Sequence, residues 1–347
     1  MRTLCTLAAL VIGSAAACAH AGPGDGTLYV LNKSDADVSA IDTSTGNVIA
    51  TMEVGEGPHE AVVSPDGETL IVCNYGIQTP GRTLSVIDTK TNTTKGYLDL
   101  KEYHRPHGIV FLPGSDTIAV TAEVEQKLLL INYRTLEIVA AIDTDQRASH
   151  MVAVSPDGAT GYVANILPGT MSVLDLEKHE LIKVVPTGAG AEGVAVHPSK
   201  PEVWVTNRSQ GSVAVVNTET LEVETKIVCA AFPIRIAFTP DGAHALVSCA
   251  QSGDVAVINT ESRTVKRRIS MDEEPVGDTE KGKRLFSDQF GESPVPVGIL
   301  IRPDGKLAYV ANTNADVVSV IDLQTWTIVE RLRAGKEPDG LAWLPNE

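Results

Sequence analysis

Short apolar runs rich in β-branched residues recur along the chain at a steady spacing, each bounded by Gly, Pro, Asp or Asn. One run reads Leu28-Tyr-Val-Leu-Asn32. It returns as Leu70-Ile-Val-Cys-Asn74, Tyr162-Val-Ala-Asn165, Trp204-Val-Thr-Asn207, Leu246-Val-Ser-Cys249 and Tyr309-Val-Ala-Asn312, with a divergent copy at Ile118-Ala-Val-Thr-Ala122. A second run follows each, as in Val38-Ser-Ala-Ile-Asp42 and Val318-Ser-Val-Ile-Asp322. A third precedes each and ends in a turn such as Ser64-Pro-Asp-Gly67 or Arg302-Pro-Asp-Gly305. In that turn Pro presets φ, Asp bonds nearby backbone and Gly accepts a positive φ. The runs are strands, and Asp42 to Gly46 and its counterparts close the next hairpin.

The unit repeats about every 42 residues, the length of a propeller blade. Seven first strands and seven second strands can be counted. The predicted fold is all-β, a seven-bladed β-propeller of four-stranded antiparallel blades. The chain begins with the second to fourth strands of a blade, from Gly26, and ends with a first strand, Gly340 to Leu344. Pairing the N-terminal strands with this C-terminal inner strand closes the ring without a free edge. Ahead of it, residues 1–21 read as a signal peptide: Arg2, an apolar stretch from Leu4 to Ala17, and Ala19-His20-Ala21 as the cleavage site. Residues 22–347 then form one domain in the periplasm or outside the cell, with no membrane span and as a monomer.

Composition narrows the partners. Loss of Arg2 takes the formal net charge from −16 to about −17. With no basic run or aromatic-basic interleaving, nucleic acid is excluded as a partner. A small-molecule ligand or a periplasmic protein remains. Cys5 and Cys18 leave with the leader, so Cys73, Cys229 and Cys249 stay. No CxxCH exists, which excludes covalent haem. Cys229 and Cys249 fall at the same end of the ring and form the candidate disulfide, with Cys73 as a buried thiol.

Strand direction locates the candidate chemistry. The residue six before each turn proline stands where an inner strand begins, beside the central channel: His59, His107, His150, Glu192, Ile234, Val297 and Asp339. Imidazoles and carboxylates facing one opening suit a transition metal, with His59, His107 and His150 as ligands beside Glu192 or Asp339. They equally suit acid, base or oxyanion roles on a small ligand, or hydrogen bonds that merely close a narrow hub. Asn32, Asn74, Asn165, Asn207 and Asn312 end second strands, where such a side chain bonds its own turn backbone. The sixth unit is longer than the others by about 20 residues. The excess between Met271 and Pro296 is expected to emerge at the histidine end as a lid or partner surface, anchored by Phe286 and Phe290.

The copies Tyr162-Val-Ala-Asn165 and Tyr309-Val-Ala-Asn312, each followed by a Ser-Val-Ile-Asp-like run, resemble the YVTN-family propeller repeat. The stretch from Pro58 to Gly67, running on to Cys73-Asn-Tyr-Gly76, is similar to lactonase-type propellers. That likeness implies hydrolysis of a small cyclic ester, with His107 as base, His150 and Glu192 as general acid or base, and Arg235 as oxyanion stabiliser. Histidines at this position also resemble those of haem-nitrite-reductase-type propellers, which would imply a tetrapyrrole with Arg82, Arg105 and Arg235 near its carboxylates. Three readings stay open: a binding or accessory propeller with the mouth lined by His59, His107, His150, Glu192 and Asp339 holding a ligand, metal or redox cofactor of unknown identity; a lactonase-like enzyme; and an interaction scaffold.

Overall fold

The computed structural model describes residues 25–229, 232–272, 284 and 286–346. The expected leader at 1–21 lies outside these residues, as do 273–283 and 285 of the segment 271–296. The described residues form seven four-stranded antiparallel sheets arranged as a propeller, with one short helix, Ser287–Phe290. In the first blade the C-terminal strand Pro338–Pro345 is innermost and pairs with Gly26–Asn32, followed by Asp37–Asp42 and Asn47–Glu53. The expected seam closure is therefore present. The other inner strands, in ring order, are Pro58–Val63, Pro106–Phe111, Ser149–Val154, Ala191–Val196, Pro233–Phe238 and Pro296–Ile301.

Burial explains why these sequences form sheets. The second strands are covered on both faces by neighbouring blades, so Leu70 to Asn74 and Val203 to Asn207 are buried without alternation. Outer strands such as Thr93–Asp99 alternate between exposed and half-buried residues. The core is a ring of inter-blade clusters: Tyr29, Leu31 and Val38 of the first blade pack with Leu70, Val72 and Ile87 of the second. The Pro-Asp-Gly turns take the expected form. Asp66 accepts from the Ser64 hydroxyl and the Glu68 amide, and Gly67 has a φ of 75°.

The strand-end asparagines do more than their own turns require. Nδ2 of Asn32 donates to Ser39, of Asn74 to Ser85, of Asn165 to Ser172 and of Asn312 to Ser319, all across a hairpin. Asn74 Oδ1 accepts from the Gly55 amide and Asn32 Oδ1 from the Gly335 amide. Gly55 and Gly335 lie in the loops that lead into inner strands, so the amide ties that loop to its blade. The expectation of local turn bonding is corrected, because the side chains are buried and face the next strand. In the sixth blade Cys249 takes the asparagine position and meets Cys229 of the incoming loop. The sulfurs are 3.8 Å apart and stand as two buried thiols, in contact but not bonded. Cys73 is a buried thiol in the core.

Each inner strand carries a register shift where it begins. Pro58 pairs with Asn74 but Ala61 pairs with Val72, and the same slip recurs in every blade. One extra residue is thereby inserted, a β-bulge that turns side chains toward the axis. Inner strands crowd there. A Cβ on Gly298 would lie 2.1 Å from the Asp339 carbonyl oxygen, and one on Gly340 would lie 2.2 Å from that of His59. Gly298→Ala is expected to lower the unfolding free energy by about 1–3 kcal/mol through overpacking. Denaturant unfolding checks it, and wild-type stability in that variant would contradict the crowding.

Candidate functional site

The bulges bring His59, His107, His150, Glu192, Arg235 and Asp339 into one buried cluster around the axis, from six different blades. His107 is fully buried, and His59 and His150 are 8% and 7% exposed. The three imidazoles form a stack, with ring centroids 3.9 Å apart between His59 and His107 and 3.5 Å between His107 and His150. Ile234 and Val297 occupy the remaining two positions. They pack with Ala250 and Val295 against Phe232, Phe286 and Phe290. The mouth therefore has a polar arc over blades one to five and an apolar arc over six and seven. Phe286 and Phe290 anchor the described end of the long segment, as its spacing predicts.

Hydrogen bonds assign the protons. Lys33 Nζ sits 2.9 Å from His59 Nε2 and 2.9 Å from Asp339 Oδ2. An ammonium only donates, so His59 Nε2 accepts. His107 Nε2, 3.0 Å from the same nitrogen, must then carry the proton between the rings. His59 Nδ1 is left protonated, 3.4 Å from Asp339 Oδ2. His107 Nδ1 is a bare acceptor. It has no hydrogen-bond partner among the described residues, and neither do His59 Nδ1 and Asp339 Oδ1.

His150 differs. Its Nδ1 is 3.3 Å from Glu123 Oε1 and its Nε2 3.5 Å from Glu192 Oε1. Burial alone would lower its pKa, but hydrogen bonds to Glu123 and Glu192 carry it above the ordinary value. Burial holds His59 well below, with Lys33 and Arg235 acting in the same direction, and it does the same for His107 beside His150. Glu192 opposes burial with His150 and two guanidiniums and is lowered to about 2. Burial raises Glu60 despite Arg235. The result is one imidazolium held between two carboxylates and two neutral imidazoles.

Sequence reasoning missed Glu60, Lys33, Glu123, Tyr75 and Arg208. Glu60 follows His59, and strict strand alternation would turn it away; the bulge lets both face the axis. Its Oε1 accepts from Arg235 Nε and Nη2 at 2.9 and 2.8 Å, an ion pair that crosses the channel from the second blade to the sixth. Arg235 Nη1 also lies 3.5 Å from Glu192. Arg235 is thus committed to carboxylates. Of the other arginines expected near tetrapyrrole carboxylates, Arg82 faces Asp99 and Arg105 stacks on Tyr75. The remaining missed residues share a signal. Each directly follows a second strand: Lys33 after Asn32, Tyr75 after Asn74, Glu123 after Ala122, Arg208 after Asn207. They form a second ring, with Tyr75 edge-on to His59 and His107 and bonded to Glu123, and Arg208 2.7 Å from Glu192.

A family model described as "Lactonase, 7-bladed beta-propeller" matches residues 16–278. The chain belongs to the lactonase family of seven-bladed β-propellers. No curated protein matches it. Among solved structures, this lactonase-family chain is similar to a functionally unknown protein from Desulfotomaculum acetoxidans DSM 771, with 13% identity and a TM-score of 0.74 over 93% of this chain and 100% of that one. It is also similar to the hydrazine synthase of Kuenenia stuttgartiensis, with 18% identity and a TM-score of 0.69 over 82% and 89%. A third is the dihydro-heme d1 dehydrogenase NirN in complex with DHE, with 14% identity and a TM-score of 0.65 over 91% and 74%. At these identities the likeness is one of fold. Among the described residues, no helix of this lactonase-family propeller is long and apolar enough to cross a membrane.

The histidines of this lactonase-family propeller's mouth contribute to the pH dependence of stability. Rings with depressed pKa values, His59 and His107, contribute stability above the unfolded value of about 6.5 and lose it as pH falls. His150, raised, contributes below that value and loses it as pH rises through its folded pKa. Each depressed ring should cost up to about 1.4 kcal/mol per pH unit below pH ~6.5. Denaturant unfolding between neutral and mildly acidic pH should show a shallower slope in His59→Gln/His107→Gln than in wild type. Equal slopes would contradict the assignment.

Proposed function

We propose that this chain is an exported binding propeller of the YVTN repeat type, whose axial mouth takes up a small ligand. The observation that carries this reading is the buried polar atoms left without partners in the mouth: His107 Nδ1, His59 Nδ1 and Asp339 Oδ1. Burying such groups costs about 1–3 kcal/mol each unless something bonds them. A ligand that meets them recovers that energy, and the apolar arc of Ile234, Val297 and the phenylalanines accommodates its carbon skeleton. A redox cofactor is one candidate ligand, because a structural neighbour is a dihydro-heme d1 dehydrogenase in complex with DHE. The imidazoles, with centroids 3.9 and 3.5 Å apart, leave no room for a macrocycle between them. Native mass spectrometry of protein drawn from its own cell envelope should show bound mass that His107→Ala loses. Bare protein mass, unchanged by the substitution, would contradict the reading.

Membership of the lactonase family and the Glu123–His150–Glu192 arrangement favour a second reading, hydrolysis of a small cyclic ester. Neutral His107 would take a proton from water, the His150 imidazolium would give one to the leaving oxygen, and Arg208, rather than the carboxylate-bound Arg235, would face the developing oxyanion. On this reading Glu192→Gln and His107→Ala each lower kcat by about 100-fold or more on any lactone the protein turns over. Turnover undiminished in both variants removes this role.

A further inference from the structure

The arrangement deepens the reading of the mouth as a binding site and rests on it. We infer that His59, Glu60 and His107 form a site for one divalent first-row transition-metal ion, with Lys33 and Asp339 as its outer partners. One nitrogen or oxygen from each of the three ligands lies within 4.8 Å of the others. Bonds of about 2.0–2.2 Å to a tetrahedral ion set its ligand atoms roughly 3.3–3.6 Å apart. The two Nε2 atoms, at 3.0 Å, are already near that span, and as the ion arrives the proton that His107 carries on Nε2 moves to its partnerless Nδ1. Two imidazoles and one carboxylate are a ligand set that first-row divalent ions accept.

Three features select this trio over the three imidazoles. Both ring nitrogens of His150 are engaged by carboxylates, so it has no lone pair to offer. Both contacts from Arg235 to Glu60 fall on Oε1, which leaves Oε2 for a second partner. His59 Nδ1 and His107 Nδ1 are buried without hydrogen-bond partners. Arg235 holds Glu60, Asp339 faces His59, and the ring of His150 backs that of His107, so each ligand has an orienting neighbour.

Lys33 occupies the cation position. Its ammonium donates to His59 Nε2 and to Asp339 Oδ2, the contacts an arriving ion would take over or oppose. An ion must therefore displace Lys33, which leaves toward the face of Phe286, 5.5 Å from its present place. Removing the ammonium should tighten metal binding, the opposite of what loss of a structural lysine would do.

The test is titration of purified, chelator-stripped protein with Co2+, read by its visible d–d absorption and by calorimetry, with Zn2+ as competitor. Wild type should bind one ion, and Lys33→Met should bind it about 10-fold tighter or more. His59→Ala, His107→Ala and Glu60→Gln should each weaken binding by about 10–100-fold, with folding checked by circular dichroism. Should those variants misfold, ring 15N shifts of wild type on adding Zn2+ decide: the nitrogens of His59 and His107 move and those of His150 hold. Absence of saturable binding in both wild type and Lys33→Met overturns the inference, as does binding undiminished in folded variants or shifts confined to other histidines. Protein that retains an organic ligand by mass yet takes no Co2+ sinks the metal site and leaves the binding reading standing.

Discussion

The structure depends on one extra residue where each inner strand begins. The bulge there breaks the strict alternation of a strand, so two neighbouring side chains reach the axis instead of one. In four blades the second of these residues is glycine (Gly108, Gly193, Gly298 and Gly340), because inner strands approach too closely for a Cβ. In the second and sixth blades it is Glu60 and Arg235, which meet across the channel. The same local device thus packs the hub and seals it with an ion pair. Buried asparagines reinforce it by fixing the loops that feed these strands.

Electrostatics then divides residues that look alike in sequence. His59, His107 and His150 occupy equivalent positions on consecutive blades, yet their second-ring neighbours differ. Lys33 stands beside His59, Tyr75 beside His107 and Glu123 beside His150. In a buried site, a cation, a phenol and a carboxylate impose different protonation on identical side chains. Two rings stay neutral and one is charged. A hub built only for closure would have no use for nitrogens left without partners beside an unpaired carboxylate oxygen.

The fold was legible because a propeller repeats its chemistry: the Pro-Asp-Gly turns and the strands ending in asparagine give blade number, strand order and seam from spacing alone. The inner ring of the mouth was legible for the same reason, by counting back from each turn proline to His59, His107, His150, Glu192 and Asp339. Glu60 was hidden by the bulge, whose extra residue leaves no mark in a pattern of apolar positions. Lys33, Glu123 and Arg208 were hidden although they keep register, since their residue types vary from blade to blade. The cross-hairpin bonds of the asparagines, and the meeting of Cys229 and Cys249 in place of one, depend on side-chain directions that composition does not carry.

Three imidazoles share one buried mouth and hold different protons there. Ring 15N NMR of the histidines in the unliganded protein at neutral pH tests it directly. The spectrum should show one imidazolium at His150, a neutral His59 protonated on Nδ1, and a neutral His107 protonated on Nε2. Three rings that titrate together near the value of free histidine would mean that they stand apart in solvent, and would contradict it.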